Sequence, residues 1–108
     1  MPLPREPVPA IHKAVAENRY RIGWHAVQHM FEEGFDTANL LEVLTGKLAV
    51  LEDYEEDSRV LVAGVFRVSG KTKCPLHVVC DFSTADSVDV VTAYIPSGPQ
   101  WVNPRQRA

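Results

Sequence analysis

With 108 residues, a net charge of -3, 45% apolar and 23% charged residues, the chain has the size and makeup of one globular domain that builds a modest core without disulfides. No apolar run approaches the roughly 20 residues that cross a bilayer, and the acidic balance speaks against tight nonspecific binding to nucleic acid, which needs a basic face. Prolines in MPLPREPVPA stand where a signal peptide carries its apolar stretch, so a cytoplasmic protein without membrane contact is expected.

In chain order, residues 1–9 hold four prolines and are expected to form an extended arm. AIHKAVAENR follows as a short helix with Ile11, Ala14 and Val15 on one face. Gly23 interrupts the pattern before WHAVQHMFEEGF. There the helical wheel gathers Trp24, Val27 and Phe31 on one arc, extended by Ala26 and Met30, while His25, His29 and Glu32 fall at its margin. That arc predicts a buried face, with Trp24 filling the space between helix and sheet. Gly34 suits a left-handed stop. Asp36 then caps a third helix, Phe35 can staple onto Leu40, and Leu40, Leu41 and Leu44 form its expected buried stripe before Gly46.

Beyond Lys47 the period becomes extended. KLAVLEDY, RVLVAGVFR, PLHVVCDF and VDVVTAYI are four β-rich runs joined by EEDS, VSGKTKC and STADS, loops short enough only for antiparallel neighbours. The expected fold is α+β, with N-terminal helices packed on one face of a four-stranded, mainly antiparallel β-sheet. A single domain over residues 10–102 and a tail over 103–108 complete the division, with Trp101 pinning the tail. Cys74 and Cys80 lie six apart on one strand, about 20 Å when extended, so they are expected as free and mostly buried thiols. The acidic EDYEED and the basic RVSGKTK and NPRQR read as solvated loops.

Two chemistries are open to the histidines. His25 and His29 have the one-turn offset that two imidazoles need to share a metal ion. Ala26, however, stands where the familiar protease helix carries its glutamate, and His77, Cys74 or Glu32 complete no strong ligand spacing, so no metal or cofactor is assigned. For acid–base chemistry, period-two alternation groups His77 with Val79 and Asp81, and Val90 with Thr92 and Tyr94. If those faces coincide, His77, Thr92 and Tyr94 form a polar patch that a helix carrying His25 can face. The plain alternative is a core-edge histidine bonded to threonine or tyrosine.

The order HAVQHMFEEGF, a capped leucine-rich helix ending in TGK, then CPLHVV, VVTAYIP and a late tryptophan resembles the domain-of-unknown-function 4258 family over about Tyr20 to Trp101. Its members typically carry His-Ala-x-x-Arg-Met-x-x-Arg-Gly, Pro-Leu-His-Val-Val and Thr-x-Tyr-x-Pro. The resemblance implies a barnase/RelE-like fold and, with it, metal-independent ribonuclease toxins. In these the ribose 2′-hydroxyl attacks the adjacent phosphate, while an acid protonates the leaving oxygen. By position it assigns catalysis to His25, His77, Thr92 and Tyr94; on the same reading His29, Arg21 and Arg59 are candidate phosphate-binding residues, and RNA and an antitoxin-like protein are the candidate partners. Two positions depart from the pattern: His29 and Glu33 stand where the family carries arginines, the bidentate phosphate-gripping side chain. Three readings follow: an RNA-cleaving toxin-like domain, a non-catalytic interaction module of the same fold, and a metal-binding domain centred on His25 and His29.

Overall fold

The computed structural model describes residues 3–96, together with the backbone of 101–103 and 106–107. Helix α1 (Pro7–Ala16) leads into a short strand β1 (Tyr20–Ile22), then α2 (Trp24–Glu33) and α3 (Thr37–Thr45). Strands β2 (Ala49–Tyr54), β3 (Arg59–Arg67), β4 (Lys73–Asp81) and β5 (Val88–Tyr94) follow. A separate ribbon pairs β6 (Trp101–Asn103) with β7 (Gln106–Arg107). The side chain of Trp101, expected to pin the tail, lies outside the described residues.

The sheet has five strands in the order β1-β5-β4-β3-β2, and it is mixed. Strands β2 to β5 form the expected antiparallel meander, while β1 adds to its edge parallel to β5, Tyr20 opposite Val88 and Ile22 opposite Val90. The four-stranded expectation missed β1 because three residues around a charged Arg21 are too few to display a period. Helix α1 also begins earlier than expected, at Pro7 inside the proposed arm. Proline is tolerated there because a first-turn residue donates no intrahelical bond.

Between α2 and α3 the chain turns as its residues dictate. Gly34 takes φ +78°, the left-handed region where a side chain is strained, and its N–H donates to the Met30 carbonyl. Asp36 and Asn39 then exchange side chain-to-backbone hydrogen bonds, both at 2.9 Å, as a reciprocal cap. Phe35 and Leu40, placed on either side of that cap, are both buried. The buried stripe of α3 is Leu40, Val43 and Leu44, with Leu41 only half-buried, because the stripe follows the i, i+3, i+4 rows of one helix face.

All three helices cover one face of the sheet. Ile11, Ala14 and Val15 of α1, Ala26 and Met30 of α2, and the α3 stripe meet Val60, Val62, Phe66, Leu76, Val78, Cys80 and Val90 in one core. Cys74 and Cys80 share this helix-facing side as free thiols. Burial pushes the Cys80 thiol up to about 12. Burial, and then the charge of Glu33, also raises that of Cys74.

Helix α3 passes so close to β3 that a Cβ on Gly64 would stand 2.9 Å from Val43 Cγ1 and 3.0 Å from Leu48 Cδ2. Val43 is fully buried and Leu48 is half-buried against the core. Gly64→Ala is therefore expected to destabilise the fold by about 1–3 kcal/mol through overpacking, and Gly64→Val by more, as read from urea unfolding midpoints. An unchanged midpoint for Gly64→Val would show that α3 is free to lift from the sheet.

Candidate functional site

Alternation along β4 turns Leu76, Val78 and Cys80 to the helices and His77, Val79 and Asp81 to the opposite face. His77 lies opposite Ala63 on β3 and Tyr94 on β5, and its ring meets that of Tyr94 edge-on with centroids 5.4 Å apart. Thr92 stands opposite Val79, so His77, Thr92 and Tyr94 do share a face. Val90 does not join them. The β4–β5 register shifts between Val79 and Cys80, leaving Val91 as an extra residue, and this bulge returns Val90 to the helix side opposite Cys80. His77 is 0% exposed.

His25 belongs to the other side of the sheet. It sits in the first turn of α2, a helix packed on the face away from His77, and its exposed ring stacks on Trp24 with centroids 3.9 Å apart. The cleft beside it, of about 400 Å³, is bounded by Arg21, Ile22, Trp24, Asp89 and Val91, without His77. The expected convergence of helix-borne and strand-borne imidazoles over one pocket is thus not formed.

The side chains expected at a phosphate are each set against a carboxylate. Arg21 clamps Asp89 through Nε–Oδ1 at 2.9 Å and a second nitrogen–Oδ2 contact at 3.0 Å, and also donates to Thr84 Oγ1. The hydrogen bond and charge of Asp89 raise the Arg21 pKa. Arg59 Nε donates to Asp81 Oδ2 at 2.7 Å. His29 Nδ1 lies 3.2 Å from Glu33 Oε2. Among the described residues, no group of three or more His, Cys, Asp or Glu side chains converges to hold a metal ion.

What sequence reasoning missed is how α2 is rotated about its axis. Trp24, Val27 and Phe31, the expected buried arc, are 68%, 50% and 90% exposed, and Ala26 and Met30 are the residues against the sheet. Two hydrogen bonds, one backbone-to-backbone and one backbone-to-side chain, hold this rotation. The Gly23 N–H donates to the Val90 carbonyl at 2.8 Å, and Glu33 Oε1 accepts from the Ile95 N–H at 3.0 Å. Gly23, Ala26, Met30 and Glu33 thus form one seam along β5, and Trp24, Val27 and Phe31 stand off it as an uncovered ridge. A signal was present: the apolar positions span roughly 160° at 100° per residue, wider than one helix–sheet contact covers.

These features define the protein as a small α+β domain, three helices on one face of a five-stranded mixed sheet, with an apolar ridge left open on its second helix. A family model described as Domain of unknown function (DUF4258) matches residues 23–95, from the start of α2 to the end of β5. The chain belongs to this family. No curated protein and no solved structure matches it. Among the described residues, no helix is long and apolar enough to cross a membrane.

Two tests address the contacts that shape this region. Glu33→Gln retains an acceptor for the Ile95 N–H, whereas Glu33→Ala leaves that donor unmatched. The alanine variant is expected to lose about 1–2 kcal/mol of stability and the glutamine variant clearly less, by urea titration. Partial burial works to raise the Asp81 pKa, but Arg59 and the Ser83 N–H and hydroxyl together outweigh it and hold the carboxyl below its ordinary value. The folded-state pKa is depressed, so its contribution is full above the unfolded-state pKa and is lost as pH falls through the folded value. Asp81→Asn should therefore cost about 1 kcal/mol at neutral pH, Arg59 being half-exposed and screened. Wild type and variant should converge in urea midpoint once pH falls below the folded-state pKa of Asp81.

Proposed function

We propose that this chain is a non-catalytic interaction module that holds a protein partner on the α2 ridge. The observation that carries the reading is the exposure of Trp24, Val27 and Phe31 at i, i+3 and i+7 on a helix whose other side is anchored to the sheet. Helix-in-groove and helix–helix recognition use this spacing of apolar anchors on a rigid element. Large aromatic side chains supply most of the energy at such contacts because they bury much area with few rotatable bonds.

The RNA-cleaving reading, with His25 and His77 as its proton-transfer pair, draws less support. An imidazole with 0% exposure on the far side of the sheet has no route to a phosphate shared with His25. Arg21 and Arg59 already engage Asp89 and Asp81, so a phosphate would have to displace a carboxylate from each. Thr92 and Tyr94 flank His77 and serve that face of the sheet. The metal-binding reading is no better served: His25 stacks on Trp24 and His29 faces Glu33.

Purified protein is expected to leave a mixed RNA pool intact from pH 5 to pH 9. A photo-crosslinking amino acid introduced at Phe31 is expected to yield a polypeptide adduct in cells, and one at Val65, exposed on the opposite sheet face, is expected to yield none. RNA cleavage abolished by His25→Ala and by His77→Ala would reverse this reading.

A further inference from the structure

We infer that the occupant of the α2 ridge is a second copy of this chain, with the two helices packed antiparallel about a two-fold axis near Val27 and Gln28. The inference rests on the interaction-module reading and names its partner.

The first argument is shape. Trp24 and Phe31 lie seven residues apart, roughly 10 Å along the helix, with Val27 between them. A two-fold axis through the middle lays Trp24 of one copy against Phe31 of the other, twice, with the Val27 side chains meeting near the axis. Both aromatics, 68% and 90% exposed, are thereby covered by the same contact.

The second argument is charge. Helix α2 is charged against its own dipole: its first turn has no acidic residue, its N-cap is Gly23 without a capping side chain, and its last turn holds Glu32 and Glu33 with no basic residue. Glu33 is engaged inside the fold, by the Ile95 N–H and His29. Glu32 is exposed and accepts from Gln28 of its own helix. An antiparallel copy carries Glu32 to the other helix's N-terminal end, where the peptide dipoles favour an anion. A parallel pair would stack the two acidic ends together. The polarity of this one helix is thus complementary to itself, reversed.

One helix face falls short of the roughly 800 Å² per partner of a standard interface, so the dimer should form in the micromolar range and exchange rapidly. Sedimentation velocity of the full chain, from low micromolar to near-millimolar concentration, is expected to show a monomer–dimer equilibrium. Phe31→Glu should weaken it more than about tenfold with an unchanged circular dichroism spectrum. Glu32→Lys should weaken it less, and the effect should diminish in high salt. Should Phe31→Glu misfold, Val27→Lys serves the same purpose. Under mild oxidation, a mixture of Trp24→Cys and Phe31→Cys chains should form the mixed disulfide, found by peptide mapping, in preference to the pair joined through position 31 alone. A parallel disulfide pattern, or a dimer that Phe31→Glu and Val27→Lys leave intact, overturns the inference. A strict monomer whose Phe31 crosslink lands on another polypeptide overturns it while sparing the interaction module. A strict monomer with no crosslink, or one only to the chain's own residues 97–108, overturns both.

Discussion

The anchoring of α2 to β5 at its two ends governs the accessible chemistry of this protein. One hydrogen bond from the Gly23 N–H to Val90 fixes where the helix starts, and one from the Ile95 N–H to the Glu33 carboxylate fixes where it ends. Each satisfies a backbone group at the sheet margin that would otherwise be costly to leave without a partner. Together they allow the helix a single rotation, the one that presses its small side, Ala26 and Met30, onto the strand. Hydrophobicity alone would favour burying Trp24 and Phe31. Two bulky aromatics beneath the helix would, however, lift it off β5 and break both hydrogen bonds. The aromatics therefore remain outside, and the apolar ridge is the consequence of a backbone constraint.

A second local device, the bulge at Val91, works on the opposite face. By inserting one residue into β5 it lets Val90 point into the helix-covered core while Thr92 and Tyr94 line up with Val79 and His77 on the far side. Without it, strict alternation would turn Val90 out with Thr92 and Tyr94, removing an apolar side chain from beneath α2. The bulge and the anchor meet at one residue, since the Val90 carbonyl receives the Gly23 N–H. Helix rotation and strand register are thus coupled, and a shift in either would disturb the other.

Much of the fold was legible because its signals are short-range. Gly34, Asp36 and the apolar Phe35 and Leu40 on either side of the cap prescribe the α2–α3 corner, and the loop lengths prescribe the meander. The shared face of His77, Thr92 and Tyr94, which the sequence offered only as a condition, is met because alternation holds from Leu76 to Cys80 and from Thr92 to Tyr94. What escaped depends on contacts distant in sequence. Strand β1 owes its existence to pairing with β5 across the chain, and Pro7 reads as a breaker unless the helix start is already known. For α2, the wheel gives the width of the apolar arc but not which part of it the sheet takes. That choice was made by a carboxylate and a backbone carbonyl, neither of which contributes to a hydrophobic pattern.

Glu33 brings these threads together. The motif that this stretch resembles carries arginine here, whose guanidinium can donate hydrogen bonds but cannot accept one. The Ile95 N–H is itself a donor, so an arginine in the same place could not close that contact. In this chain the position joins helix to strand, and the neighbouring departure, His29, faces the same carboxylate. Here the two side chains face each other, His29 Nδ1 lying 3.2 Å from Glu33 Oε2. Substitution at those two positions changes both the electrostatics of the helix end and its attachment to the sheet. The last turn of α2 is thus acidic and held to the sheet through Glu33, while Trp24 and Phe31 remain turned outward.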